Sequence, residues 1–309
     1  MKKVYTRTVI YMDTFIHVKV VTSAPSDEVQ DCMERVMDIF STMESTCSRF
    51  DQHSELSRLS QTIGVPVQVS PILFEALYFS IEVAKLTYGV FDPTIGQLLI
   101  KSGFDRNYVT GDTVHINNTN SLPFGSYQDI EFDSNNHTVT LHKPVILDLG
   151  AVVKGLAIDL AAKELSPFES YYIDAGGDLF VHGLNEQEEP WKIGIQHPLQ
   201  KEKMVQWIQL TEGAICTSGG YERRSRYDSQ EHHLINPYSG RSNKDIISCS
   251  VVAPFTMMAD AFSTVAILLG FNKGKKLLEE MELEGLWINS SLEQFMTNEM
   301  KVLLYEPKK

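Results

Sequence analysis

Residues 170–195 read SYYIDAGGDLFVHGLNEQEEPWKIGI, and this stretch decides the fold class. Three short runs rich in β-branched and aromatic residues, Ser170–Ile173, Leu179–Val181 and Trp191–Ile195, are separated by turn residues and by no helical pattern. Strands that follow one another without a crossover helix favour antiparallel pairing. The sequence therefore predicts an α+β protein with mostly antiparallel sheets and flanking helices.

The same kinds of pattern predict helices and strands along the rest of the chain. The predicted helices are Ser26–Met43, Pro71–Tyr88, Gly150–Leu165, Met257–Leu269 and Lys273–Met281. The further predicted strands are residues 4–22 (one long strand or a hairpin), Val205–Leu210, Ala214–Thr217, Ile246–Val252, Gly285–Ile288 and Met300–Tyr305. Residues 105–145 are predicted to form β-hairpins with loops. No internal repeat and no Pro- or Ser-rich linker is present, which predicts a single domain over residues 1–309.

The composition is that of a globular protein. Of the 309 residues 43% are hydrophobic, and 27 basic residues against 40 acidic ones leave a formal net charge of −13. This apolar content excludes a wholly disordered chain, and the negative charge argues against general binding of nucleic acid. The 4 cysteines include no C-x-x-C pair, which argues against a zinc ribbon and against a disulfide scaffold.

The N-terminal residues favour a cytoplasmic protein. Lys2 and Lys3 resemble the start of a signal peptide, but Arg7 and polar residues follow instead of an apolar run. The longest apolar stretch, around residues 259–270, contains Asp260 and is too short for a membrane span. We therefore expect a soluble, cytoplasmic protein with no stable membrane insertion.

Common nucleotide-binding and hydrolase motifs are absent, and three clusters of reactive residues remain. The first is DLGAVVKG at residues 148–155, at a predicted strand-to-helix junction. Unpaired backbone groups at such a junction can meet a phosphate or a metal ion. Asp148 can cap the helix and Lys154 can reach an anion; the alternative is an N-cap aspartate beside a solvated lysine.

The second cluster is Asp260 and Thr264, which are four residues apart and therefore share one face of a predicted helix. Carboxylate and hydroxyl oxygens are hard ligands that suit Mg²⁺. The surrounding residues are apolar, and a charge in such a helix is costly unless something pairs with it. The alternative is an aspartate at a helix start that interacts favourably with the helix dipole.

The third cluster is His232 and His233, which precede a turn at Asn236–Pro237. Histidine can act as a base near neutral pH. Neighbours on a strand face opposite sides, so at most one of the two enters a given site, and the alternative is that both are structural. Two turns rich in small residues, 175–178 and 217–220, either let a ligand approach the backbone or are ordinary tight turns.

Taken in order, these segments resemble the FAD:protein FMN transferase family, the ApbE-type flavin transferases. The segments that carry the resemblance are MDTF (12–15), Phe50 with SELSRL (54–59), GVFDPTIG (89–96), DLGAVVKG (148–155), AGGD (175–178), TSG (217–219), HLINP (233–237) and ADAFST (259–264). The resemblance extends from about residue 9 to residue 305. It implies the ApbE-like fold over a single domain.

The resemblance also implies roles for individual residues. The implied FAD contacts are Met12, Phe50, Val90, Phe91, Asp92, Asp148, Lys154 and Leu234. The implied Mg²⁺ ligands are the backbone carbonyl of Ala151 and the side chains of Asp260 and Thr264. His233 is expected near the transferred phosphate as a residue that handles a proton.

The implied reaction uses FAD as substrate: a threonine hydroxyl of a target protein attacks the FMN phosphorus, and AMP leaves. Mg²⁺ would neutralise phosphate charge as Lewis acid and clamp. One alternative is an FAD pyrophosphatase, in which water replaces the threonine. Another is a flavin-binding or flavin-storage protein without catalysis, against which Asp260, Thr264 and His233 argue.

Three positions depart from the family pattern. Asp13 stands where glycine is usual, which adds a carboxylate at an expected backbone turn. Ala151 also replaces a glycine, which a ligand acting through its backbone carbonyl should tolerate. Asn236 stands where aspartate is common, so that position loses a charge.

Overall fold

The computed structural model describes residues 2–107, 110–114 and 124–306; residues 108–109 and 115–123 of the predicted hairpin region lie outside the described residues. The helices are α1 (Ser26–Cys47), α2 (Glu55–Ser60), α3 (Pro71–Leu86), α4 (Gly96–Lys101), α5 (Val153–Leu165), α6 (Thr256–Glu280) and α7 (Met300–Leu303). The strands are β1 (Lys3–Tyr11), β2 (Thr14–Thr22), β3 (Val67–Gln68), β4 (Ile130–Asp133), β5 (Thr138–Leu141), β6 (Ser170–Ala175), β7 (Asp178–His182), β8 (Trp191–His197), β9 (Gln200–Leu210), β10 (Glu212–Gly219), β11 (Ile235–Asn236), β12 (Arg241–Ser242), β13 (Ile246–Ala253), β14 (Glu284–Asn289) and β15 (Gln294–Met296).

The chain divides into two compact units, each made of separate segments. Unit 1 consists of Met1–Phe40, Lys154–Glu222 and Asn243–Lys309. Unit 2 consists of Ser41–Val153 and Arg223–Ser242. The prediction of a single domain over residues 1–309 stays a prediction.

Unit 1 is built on an eight-stranded sheet in the order β1-β2-β6-β7-β10-β13-β14-β15. Every neighbouring pair in this order is antiparallel. The strands predicted between residues 170 and 253 are all present, with ends shifted by a few residues. The predicted α+β class with antiparallel sheets is therefore confirmed.

The central strands β10 and β13 carry buried residues on both faces. In β10, Ile215 belongs to a buried cluster that includes side chains of the β8–β9 hairpin. Its neighbour Cys216 faces the other way, because successive strand residues alternate, and its sulfur lies 3.6 Å from the Thr256 carbonyl oxygen at the start of α6. The sheet is thus packed between the hairpin and α6.

α6 is interrupted at Gly270, which has a φ of 73° and a ψ of 175°. Such a positive φ favours glycine, and it confirms the predicted division of this segment at Gly270. The break frees carbonyl groups that other side chains then satisfy. Asn243 donates to the Ile267 carbonyl at 2.8 Å, and the Trp287 indole donates to the Ala266 carbonyl at 3.3 Å.

Unit 2 contains α2, α3, α4, the three-stranded antiparallel sheet β3-β5-β4 and the two-stranded sheet β11-β12. α3 begins as the sequence predicts: the Ser70 hydroxyl accepts the Leu73 N–H at 3.3 Å, and Pro71 occupies the first turn. It ends at Leu86, two residues before the predicted end. The core of unit 2 includes Leu56, Leu59, Leu73, Leu77, Ile81 and Leu141, each at most 1% exposed.

One predicted element is wrong. Residues 300–305 were expected to form a closing strand, but Met300–Leu303 form the short helix α7. The neighbour of β14 in the sheet is β15, and after α7 the residue Leu304 forms an isolated antiparallel bridge with Ile208 of β9. A short apolar run does not by itself distinguish a strand from a buried helix, and here the fully buried Met300 packs as part of a helix.

Among the described residues, no helix combines sufficient length with sufficient apolarity to cross a bilayer.

α5 and α6 approach each other closely within unit 1, and Gly155 makes this possible. A Cβ atom added at Gly155 would lie 2.5 Å from the Met257 Cα and 2.6 Å from the Thr256 carbonyl oxygen. Asp159, one turn further along α5, accepts the N–H groups of Thr256 and Met257 at 2.6 and 2.8 Å. It thereby caps the first turn of α6 from outside that helix.

We expect Gly155→Ala to lower the free energy of unfolding by about 1–3 kcal/mol, because the added methyl meets backbone atoms that cannot rotate away. Urea denaturation followed by circular dichroism measures this change. Lys163→Ala, at an exposed position of the same helix, is the control and should change stability by less than about 0.5 kcal/mol. Equal stability of Gly155→Ala and the wild type would contradict the close helix contact.

Candidate active site

The first functional cluster lies in unit 1, where Lys154 contacts two buried carboxylates. Lys154 is in the first turn of α5, and its ammonium forms an ion pair with Asp178, the first residue of β7. The ammonium nitrogen also lies 3.9 Å from the nearer carboxylate oxygen of Asp260, in the second turn of α6. Asp178 is 2% exposed and Asp260 is 4% exposed. The ion pairs of Lys154 therefore connect three separate segments of the chain.

Charge in this cluster is not balanced. With all three groups ionised, two carboxylates share one ammonium, and one net negative charge stays buried. Burial raises the pKa of Asp260, while Lys154 and the Gly155 N–H, 3.3 Å from the carboxylate, act in the opposite direction. A buried charge of this kind needs a further partner to be favourable, and a bound cation supplies one.

Thr264, one helical turn after Asp260, belongs to a chain of hydroxyl groups. The Ser218 hydroxyl oxygen lies 2.9 Å from that of Thr264 and 2.7 Å from that of Ser263. Ser263 donates its proton to the Asp260 carbonyl at 2.8 Å. Because each hydroxyl has one proton, Ser218 then donates to Ser263 and Thr264 donates to Ser218. This arrangement leaves lone pairs on the Thr264 oxygen for a further partner.

The second cluster lies in unit 2, around Asp148. The Nε atom of Arg49 is 2.6 Å from one Asp148 carboxylate oxygen, and the Gly150 N–H donates to the other at 2.9 Å. The Arg49 guanidinium carbon lies 4.3 Å from the centre of the Phe50 ring. The predicted FAD contacts Phe50 and Asp148 are thus brought together, and Arg49, which was not predicted, joins them.

The stretch Val90–Asp92 follows α3 in the same unit. Phe91 is 6% exposed, and its N–H donates to the Thr87 hydroxyl at 3.1 Å. The Asp92 carboxylate accepts the N–H and the hydroxyl of Thr94 at 2.8 and 2.7 Å. Burial raises the pKa of Asp92 despite these bonds. The Pro93 carbonyl accepts the Asp148 N–H at 2.8 Å, which ties this stretch to the second cluster.

The two histidines precede β11 rather than lying within a strand: His232 forms an isolated bridge with Arg224 and His233 lies in a bend, and their environments differ. His232 is 4% exposed, and its Nδ1 accepts the Leu234 N–H at 3.3 Å, so it supports the local backbone. His233 is half-buried, and its ring centre lies 6.4 Å from that of Phe104. Leu234, a predicted FAD contact, is itself 7% exposed.

Met12 and Asp13 occupy the two central positions of the β1–β2 turn in unit 1. Their φ angles are 52° and 62°, the positive values that a two-residue hairpin turn requires. Aspartate tolerates this conformation better than most residues with a side chain, so Asp13 can replace the usual glycine without losing the turn.

The predicted metal ligands do not all belong to one unit. Asp260 and Thr264 are in unit 1, whereas Ala151 is in the turn of unit 2 that precedes α5. No group of three or more His, Cys, Asp or Glu side chains that could hold a metal ion occurs among the residues with described positions. The predicted site uses a single carboxylate, and the set of ligands stays a prediction.

Comparison with known proteins relates these clusters to a family. The sequence model of the ApbE family matches residues 12–287. The chain belongs to the ApbE family. The resemblance inferred from the motifs is thereby confirmed, and the matched region contains every predicted site residue.

Two curated relatives of this ApbE chain are named FAD:protein FMN transferase. The protein from Treponema pallidum is 29% identical over 300 residues, which cover 89% of this chain and 82% of the relative. The protein from Vibrio cholerae is 29% identical over 272 residues, which cover 84% and 78%. The names confirm the predicted enzyme class, a transferase.

The ApbE fold is also seen in solved structures. The crystal structure of an ApbE protein from Thermotoga maritima has a TM-score of 0.85 and 26% sequence identity, and the match covers 98% of this chain and 100% of that one. The flavin transferase ApbE from Vibrio cholerae has a TM-score of 0.83 at 24% identity, with the same coverage. The predicted ApbE-like fold is confirmed.

Three residues of this ApbE chain were not predicted to act at the site: Arg49, Asp178 and Ser218. Asp178 begins β7 and Ser218 lies within β10, at the positions of the predicted small-residue turns 175–178 and 217–220. A turn pattern does not indicate which of its polar side chains acts. Arg49 directly precedes Phe50, but sequence spacing does not reveal a partner that is 99 positions away.

We expect Lys154→Met to lower the free energy of unfolding by about 3 kcal/mol, the low end of the cost of breaking a buried ion pair, because a quarter of the lysine side chain is exposed. The substitution leaves two buried carboxylates without their ammonium. Asp178→Asn removes one of those carboxylates, and the Lys154 ammonium keeps the Asp260 carboxylate as its partner. Urea denaturation should therefore show less than half the cost for Asp178→Asn, and equal costs would contradict the charge imbalance.

Proposed function

We propose that the chain is an Mg²⁺-dependent FAD:protein FMN transferase, which moves FMN from FAD onto a threonine of a target protein and releases AMP. The observation that carries the proposal is the buried Lys154–Asp178–Asp260 cluster, in which two carboxyl groups lie beside a single ammonium group. Membership of the ApbE family and the names of the curated relatives support the reaction.

The residues of unit 1 fit a magnesium ion on chemical grounds. Asp260 offers a buried carboxylate, and Thr264 offers a hydroxyl oxygen whose proton is engaged with Ser218. Oxygen ligands of this kind are those that Mg²⁺ prefers. A divalent cation also compensates the net negative charge that Lys154 leaves unbalanced. Asp260 and Thr264 are therefore the proposed ligands, and the Ala151 carbonyl stays a predicted third one.

In the proposed reaction, the threonine oxygen of the target forms a bond to the FMN phosphorus. The bond between that phosphorus and the bridging oxygen of FAD breaks, and AMP leaves with the electron pair. Mg²⁺, when bound, supplies Lewis-acid stabilisation of the phosphate charge. Lys154 adds a positive charge held in place by Asp178. His233 is proposed to accept the proton of the attacking hydroxyl.

The binding roles proposed in unit 2 rest on the second cluster. The Arg49 guanidinium contacts both Phe50 and Asp148, and the hydrogen bond from the Asp148 N–H to the Pro93 carbonyl connects Val90–Asp92 with Asp148. We propose that these residues bind FAD together with Leu234, while Met12 and Lys154 stay predicted FAD contacts. A cytoplasmic location and the lack of nucleic-acid partners stay predictions.

The direct test incubates the purified protein with FAD, Mg²⁺ and a candidate acceptor domain that carries an exposed threonine. Intact mass spectrometry should show an FMN-sized mass increase on the acceptor, and chromatography should show AMP; both should vanish with EDTA. AMP and free FMN, with no mass increase on any of a panel of acceptors, would instead indicate the pyrophosphatase. FAD binding without AMP would indicate a flavin-binding protein.

Asp260→Asn is expected to lower the transferase rate at least about 100-fold, since it removes the charge on which the cation site depends. Mg²⁺ should also raise the melting temperature of the wild type but not that of the variant, because only a bound ligand stabilises the folded state. Asp38→Asn, an exposed residue of α1, is the control. An Asp260→Asn enzyme with unchanged rate and an unchanged Mg²⁺ response would exclude Asp260 as a ligand.

His233→Asn is expected to lower the rate about 100- to 10,000-fold, the range for loss of a general base, while FAD binding stays near the wild-type value. Single-turnover mass spectrometry of the acceptor measures the rate, and equilibrium dialysis measures the binding. His142→Asn, which changes an exposed histidine of unit 2, is the matched control. A rate within a few-fold of the wild type would remove His233 from the reaction.

A further inference from the structure

Arg49 is unusually well enclosed for an arginine. It follows the end of α1, and its side chain is 12% exposed. Arginine is almost never buried in proteins unless it is paired. Neighbouring groups of unit 2 therefore have to pair with its charge.

Two hydrogen-bonding groups and one aromatic ring hold the guanidinium. Nε is 2.6 Å from an Asp148 carboxylate oxygen, and Nη2 donates to the Phe104 carbonyl at 2.9 Å. The Phe50 ring centre lies 4.3 Å from the guanidinium carbon, within the range of a cation–π interaction. These contacts need the planar fork of arginine, because a lysine ammonium is a single point charge that cannot serve all three directions.

The third donor nitrogen of Arg49, Nη1, makes no such contact. Nη1 is buried, and it has no hydrogen-bond partner among the residues whose positions are described. A buried donor without an acceptor lowers stability, so Nη1 offsets part of what the other contacts of Arg49 contribute. What Arg49 does achieve is to fix two neighbours that are proposed to contact FAD.

We propose that Arg49 is a positioning residue for FAD binding, which acts by holding the Asp148 carboxylate and the Phe50 ring in one fixed arrangement. The inference rests on the proposed function, since it takes Asp148 and Phe50 as FAD contacts. Two of the donor nitrogens of Arg49 are engaged inside the protein and the third is enclosed. Arg49 therefore acts through Asp148 and Phe50 rather than by touching the substrate.

The test is Arg49→Met, which keeps the apolar stem and removes the guanidinium. Equilibrium dialysis should show a dissociation constant for FAD that is about 10- to 100-fold higher than that of the wild type, the loss expected for a charged hydrogen bond. KM for FAD should rise in parallel, while kcat should stay within about 3-fold, because Arg49 does not touch the reacting phosphates. Arg35→Met, which breaks the exposed pair with Glu164, should leave FAD binding unchanged.

A double-mutant cycle shows whether Arg49 acts through Asp148. Asp148→Asn and the double variant Asp148→Asn with Arg49→Met should bind FAD equally within about 3-fold, since contacting residues are coupled. Independent, multiplicative losses would overturn the inference. Arg49→Lys serves if Arg49→Met does not fold: it keeps the charge but not the fork, and it should still weaken FAD binding.

The outcomes separate this inference from the proposed function. If the wild type binds FAD and both Arg49 variants bind it with the same affinity, the inference is overturned but the proposed function is not. A wild-type protein that does not bind FAD at all overturns the proposed function and the inference with it. Weakened binding with unchanged kcat and full coupling to Asp148 supports the inference.

Discussion

The structure of unit 1 depends on one ammonium group that is shared by two buried carboxylates. Lys154 brings together the start of α5, the start of β7 and the second turn of α6 through Asp178 and Asp260. Breaking such a contact costs more than making it contributes, because a carboxylate left alone in the interior has neither water nor a partner. Gly155 makes the arrangement possible, since α5 and α6 come too close there for a side chain.

A similar principle operates in unit 2, where one cation faces one carboxylate. There, Arg49 faces a single carboxylate, Asp148, and the remaining contacts of the guanidinium are a carbonyl oxygen and the ring of Phe50. In unit 1, two carboxyl groups share one ammonium group, an arrangement that suits a cation when both are ionised. In unit 2, the buried Nη1 of Arg49 has no acceptor among the residues that the structure describes, and the guanidinium is proposed to hold the flavin-binding residues in place.

Local patterns were sufficient for most of the fold but not for the partners of the charged residues. The antiparallel strands after Ser170 and the helix break at Gly270 follow from turn residues and from periodicities of two and 3.6, which are properties of neighbouring residues. Residues 300–303 form a helix in which Met300 is buried, and a short apolar run in the sequence does not distinguish such a helix from a strand. The partners of Lys154 and Arg49 are distant in sequence, so no spacing rule could identify them. The family resemblance identified the motif residues, whereas the partners in the ion pairs could be identified only from the structure.

The central claim is that the charge left unbalanced around Lys154 belongs to a divalent cation held by Asp260. Electron paramagnetic resonance of Mn²⁺, used in place of Mg²⁺, measures this directly, since bound and free Mn²⁺ give different signals. Titration with and without FAD should show one Mn²⁺ site per chain in the wild type and none in Asp260→Asn. Absence of bound Mn²⁺ in the wild type under both conditions, or full binding by Asp260→Asn, would contradict the account.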